Sequence, residues 1–235
     1  MIFTTLLNNN YCKYHQIKNM KKYILINVTA VIILTFTCTF IMAQNKPVLD
    51  KETSDRVLKT IRQLVTDSNY QKLGFASADD AKDLSIGAAL PVSIIPLDKL
   101  KTLDSATGTL QSIKIPSQSA YYALISGRSH QTVALANVEM KDGKPVIRGV
   151  GSTALANAIS AASGRLSPEM RQSSQLIRIL ALQLDFLAVT EQGTVYYMPL
   201  TSVPDMQIEK GSRLTEQSLL SKVLPIAHRY NGLPW

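Results

Sequence analysis

Of the three histidines in the 235 residues, only His130 has a nucleophile close beside it in a run that reads as a turn, Ser126-Gly127-Arg128-Ser129-His130. Acyl transfer needs this kind of pairing, a hydroxyl against a base, with a third group to orient the base. Asp185 is the acid of most interest. It stands between Leu184 and Phe186 on an otherwise apolar run, where burial would raise its pKa. A secreted hydrolase built on Ser126 or Ser129, His130 and Asp185 is therefore one reading. A plainer account competes with it. Serines crowd turns, and Gln183 and Asp185 alternate with apolar residues as the solvent side of a strand does. Neither G-x-S-x-G nor S-x-x-K occurs, and there is no H-E-x-x-H. The sequence assigns no catalytic residue outright, and no metal or cofactor is expected.

One segment has the spacing of a phosphate loop. Gly149-Val150-Gly151-Ser152-Thr153-Ala154 fits G-x-G-x-x-A between a strand and a helix. The strand belongs to an antiparallel hairpin, and no strand ending in an acid follows the helix. The glycines are better read as permitting close helix–sheet packing.

The second set of candidate residues suits binding rather than catalysis. Tyr121-Tyr122 and Tyr196-Tyr197 are tandem pairs on expected strands. Alternation sends one ring of each pair to each face, so two rings brought together would make a platform for a glycan or a peptide. Asn137, Glu139 and Arg148 share the polar face of a hairpin, with Glu139 diagonal to Arg148. The alternatives are ordinary half-buried tyrosines and a solvated sheet face whose exposed charges are weakly paired.

That hairpin is the clearest structural signal in the chain. Asp142-Gly143 suits a two-residue type I′ turn, which needs positive φ at both central positions. The turn pairs Lys141 with Lys144, Glu139 with Val146, Val138 with Ile147 and Asn137 with Arg148. Ala134, Ala136 and Val138 then line an apolar face on which the expected helix Thr153–Ser163, slim with alanine, would lie. A second hairpin is expected around Gln192-Gly193. Val57, Leu58, Ile61, Leu64 and Val65 make one apolar stripe on a helix over residues 51–66. Ser167-Pro168-Glu169 starts another, with Met170, Leu176, Ile177 and Leu180 along it. Pro91 and Pro96 mark residues 87–96 as an edge strand. Thr215 caps a last helix, which Pro225 ends or kinks. No internal repeat is convincing.

Residues 20–43 have the pattern of a signal peptide: Lys21 and Lys22, an uncharged apolar run over 24–42, and Ala43 before Gln44. The run is nearly long enough to serve instead as an uncleaved membrane anchor. Residues 1–19 are expected to be an upstream extension of a leader that begins at Met20. Both cysteines, Cys12 and Cys38, precede Gln44, so a domain over 44–235 has none, and disulfides and thiol chemistry are excluded for it. The net charge of +8 includes four lysines of the leader. Without them, 21 basic residues face 17 acidic ones, a scattered +4 that is not a nucleic-acid footprint. The expectation is a single exported α+β domain, periplasmic or extracellular, with a mainly antiparallel sheet of hairpins and helices packed on one face. Its expected function is non-catalytic binding of a protein, peptide or glycan at the cell envelope, with membrane contact only through the N-terminal segment if that is retained.

Overall fold

The computed structural model describes residues 49–104, 107–128 and 131–231. The expected leader and its upstream extension lie outside the described residues, as do Ser129 and His130.

The first helix, α1 (Lys51–Leu64), starts where expected. The carboxylate of Asp50 accepts the Thr53 amide at 2.7 Å, satisfying one of the open donors of the first turn. Eight strands follow: β1 (Ser85–Ile94), β2 (Ile115–Ser126), β3 (Thr132–Lys141), β4 (Lys144–Gly151), β5 (Gln175–Ile179), β6 (Leu184–Glu191), β7 (Thr194–Pro199) and β8 (Leu214–Thr215). They form one sheet in the order β4-β3-β2-β1-β5-β6-β7-β8. Every pairing is antiparallel except that of β1 with β5 at the centre. The other helices are α2 (Leu97–Lys101), α3 (Leu110–Ile113), α4 (Thr153–Ser163), α5 (Pro168–Gln172) and α6 (Glu216–Arg229).

The fold is α+β with a mainly antiparallel sheet. The helices, however, lie on both faces. Alternation makes this plain on β3. Ala134, Ala136 and Val138 pack in one cluster with Val57 and Ile61 of α1. Leu135, between them, packs with Ala156, Ile159 and Ala162 of α4. On β6, Phe186 and Ala188 face α6 through Leu219, Leu220 and Val223, while Leu187 and Val189 face the side of α4. Thus α1 and α6 cover one face and α4 and α5 the other. The small-residue surface of Ala134 and Ala136 receives α1, not the Thr153–Ser163 helix that follows it in sequence. The sharp reversal at Gly151 and Ser152, both at positive φ, carries the chain to the other side.

The strand order reads alike from the centre outward. Each half is a four-stranded antiparallel meander followed by a helix, and α4 and α6 lie on opposite faces. The halves differ in what joins their first two strands. Between β1 and β2 stand α2 and α3, with Leu100 and Leu110 buried on the α6 face. Between β5 and β6 there is only the short turn Leu180–Leu182 and Gln183.

Three further expectations change. Residues 87–96 do not form an edge; β1 is central. Its pairing to β5 spans only Val92–Ile94, so Pro91 has no partner on that side, and on the other it is the last residue paired with β2, opposite Tyr121, before that register breaks. The helix expected through Leu176 and Ile177 stops at Gln172, and Gln175–Ile179 is strand, because its edges pair with β1 and β6 while Leu176 is buried on the α4 face and Ile177 and Ile179 on the α6 face. Pro225 does not end α6, which runs on to Arg229.

Candidate functional site

The side chains with most chemical character meet at one end of the α4 face. The register lines them up. Tyr122 on β2 is opposite Leu90 of β1 and Asn137 of β3. Further along β1, Ile94 lies between Ile115 of β2 and Arg178 of β5. Arg178 faces Asp185 of β6 directly. All point to the α4 side, since Leu90, Val92, Leu176 and Leu187 on the same strands belong to its core.

Arg178 is the centre of this group. Its Nε donates to Asp185 Oδ1 at 2.6 Å and one Nη to Oδ2 at 3.2 Å, a bidentate pair. The other Nη donates to the Tyr122 hydroxyl at 2.7 Å, and the guanidinium carbon lies 5.5 Å from the Tyr122 ring centroid. The Arg178 and Asp185 side chains are only 22% and 17% exposed. Burial opposes the guanidinium charge, but the hydrogen bond and charge of Asp185 and the contact with Tyr122 outweigh it, so the proton is held more tightly than usual. Three of the five guanidinium N–H groups are spent on these partners. The surroundings are open. Ile115 is 55% exposed, and Leu180, two residues past Arg178, is 52% exposed.

Arg148 and Glu139 stand further out on the same sheet. The hairpin keeps the expected register from Lys141–Lys144 to Val138–Ile147, then slips, so that Asn137 faces Gly149 and Arg148 is the extra residue of a bulge. Arg148 still reaches Glu139 at 2.5 Å and holds its carboxyl below the ordinary range by that hydrogen bond and its charge. Both side chains are exposed, so this is a solvated surface pair.

The tandem tyrosines do not come together as one platform. Tyr122 and Tyr196 share the α4 face, but β1, β5 and β6 lie between their strands, a separation of roughly 19 Å. Tyr121 pairs with Val138 and turns to the α1 face. Tyr197 is buried on the α6 face, 1% exposed. Only Tyr122 joins the Arg178 group.

The residues of the hydrolase reading are also spread out. Ser126, buried at the end of β2, pairs with Ser85 at the start of β1. Asp185 stands beside the far end of that strand, roughly 25–30 Å away. The sequence does not reveal which acids lie near the Ser126 turn. They are Asp80, which accepts the Arg128 amide at 2.9 Å and packs against Gly127, and Asp83, which pairs with the Arg128 guanidinium. Among the described residues there is no cluster of His, Cys, Asp and Glu that could hold a metal ion.

Glu216 makes a second polar focus that the sequence reading misses. It opens α6 and lines a shallow groove of about 540 Å³ with Gly108, Gly193 and Thr194. Its Oε1 accepts the Leu110 amide at 2.6 Å and the Tyr197 hydroxyl at 3.2 Å, tying α3 and β7 to the helix start. Burial, and then the Glu216 charge, push the Tyr197 pKa well up. The folded protein therefore keeps its proton at a pH where the unfolded chain loses it. Stability is expected to fall as pH rises above about 10, by about 1 kcal/mol by pH 11. Urea midpoints between pH 8 and 11 measure this, and Tyr197→Phe removes that part of the fall. An equal slope in both proteins contradicts it.

Comparison with family models, with curated proteins and with solved structures finds no match.

Proposed function

We propose that this is an exported, non-catalytic binding protein of the cell envelope, taking a protein, peptide or glycan ligand on the open end of the α4 face. The observation that carries the reading is the half-buried Arg178, held rigid by Asp185 and Tyr122 and set between exposed Ile115 and Leu180. A fixed, partly desolvated cation beside exposed apolar side chains combines directional recognition with contact area. Asp185, with both oxygens engaged by Arg178, is an orienting group in this reading rather than an acid or base. Asn137 and the Glu139–Arg148 pair border the site. Export rests on the leader pattern of residues 20–43.

Co-purification from the native envelope tests it, with the mature domain and an Ile115→Glu variant side by side. The substitution puts a charge on the exposed rim without touching the core, so the variant is expected to fold and to lose the partner. Recovery of the same partner by both proteins, or of none by either, sinks the reading.

A further inference from the structure

The open sheet end around Arg178 has a narrower chemistry, and this step rests on the reading just given. We infer that it receives the free carboxyl terminus of a hydrophobic peptide, with the terminal carboxylate on Arg178 and apolar side chains on Ile115 and Leu180.

Three observations converge. The first is the unspent capacity of Arg178. Asp185 and Tyr122 take three of its N–H groups, and one on each terminal nitrogen has no partner among the described residues. A planar guanidinium already fixed in place takes a carboxylate with little further ordering. Asp185 already balances the charge of Arg178 and the Tyr122 hydroxyl adds none, so what remains for a ligand is the pair of N–H donors.

The second is the placing of the exposed apolar residues. Ile115 lies two strands from Arg178, roughly 10 Å across the sheet, and Leu180 two residues along it, roughly 7 Å. Ile115 shares the face of Arg178, and Leu180 opens the short turn just past the end of β5. Side chains branching from a backbone match that arrangement, whereas a single linear acyl chain would run along one side only.

The third is the asymmetry of the two halves. On the α6 face, the corresponding strand ends are roofed by α2 and α3, whose Leu100 and Leu110 are buried. On the α4 face the β5–β6 turn is too short to do the same. The fold thus leaves open on one side a position that it fills with leucine-rich chain on the other.

The test uses acetyl-Leu-Leu with a free carboxylate, acetyl-Leu-Leu-amide and decanoate as probes, titrated into the exported domain and followed by amide chemical shifts. The acid is expected to shift residues of β1, β2 and β5 near Ile94, Ile115 and Arg178, and the amide to bind about tenfold more weakly or worse. A double variant, Arg178→Met with Asp185→Leu, replaces the pair by apolar groups of similar size and keeps the fold. It is expected to lose the preference for acid over amide. Equal binding of acid and amide, tighter binding of decanoate, or shifts elsewhere overturn the inference. So does the absence of binding by all three. If Ile115→Glu still abolishes capture of an envelope partner in that case, the binding reading stands and only the carboxylate assignment falls.

Discussion

Arg178→Ala is expected to destabilise the domain by about 3 kcal/mol, far more than any exposed ion pair in the molecule would cost. The substitution leaves the Asp185 carboxylate, only 17% exposed, without its cation. It also frees the Tyr122 hydroxyl and opens a void against its ring. Much of that cost comes from stranding the partner rather than from losing the pair itself. Replacing both residues, by Arg178→Met with Asp185→Leu, should restore most of the stability, since an apolar pair needs no desolvation of charge. Urea unfolding of wild type, single and double variants decides it. A single substitution costing less than 1 kcal/mol would mean that water reaches the pair freely, and the rigid cation at the heart of the proposed site would not exist. Arg148→Ala is the control, with an effect near zero.

The second large effect is expected at Gly74. This residue has φ +93°, in the left-handed region. A Cβ there would sit 2.5 Å from the Val133 carbonyl oxygen and press on the Thr153 hydroxyl. The carbonyl belongs to backbone at the start of β3, so it has little room to move. Gly74→Ala should cost about 3 kcal/mol, roughly 10 °C in Tm for a domain of this size. Gly143 supplies the comparison. It too has positive φ, but nothing lies within 4 Å of its added Cβ, so alanine there meets only the local torsional cost, about 1–2 kcal/mol. Equal melting temperatures for the two variants would show that the loop before β1 yields around Gly74.

Local patterns were legible in the sequence, and the reason is that they concern neighbours. The Asp142-Gly143 turn sets its own register through Val138 and Ile147. The stripe of Val57 and Ile61 needs only the helical period. The bulge at Arg148 lies beyond the reach of the turn, and nothing in Ile147-Arg148-Gly149 announces it. The Arg178 group was hidden for a different reason. Tyr122, Arg178 and Asp185 come from three strands, and the first two are 56 positions apart in the chain. Asp185 could be picked out by its apolar neighbours. Its partner could not, because Leu176 and Ile177 fit the period of the preceding helix and carry Arg178 with them. Tertiary burial on both sides overrides that pattern. The face chosen by α4 was illegible too. Ala134 and Ala136 advertise a close-packed surface, but they do not say which helix uses it, and the one that does ends 70 residues earlier.

The strand order also bears on how the chain reaches this state. Within each half, every pairing joins strands adjacent in sequence, and two of the turns are only two residues long. Such contacts close small loops and can form early. The parallel pairing of β1 with β5 is of another kind, for it brings together Val92 and Leu176 across the whole intervening meander and α4. That single seam closes the longest loop of any strand pairing and completes the cores on both faces at once. It is the natural place for the folding barrier. Substitutions along it, at Val92 or Leu176, would then slow folding, whereas those in the outer hairpins would chiefly hasten unfolding.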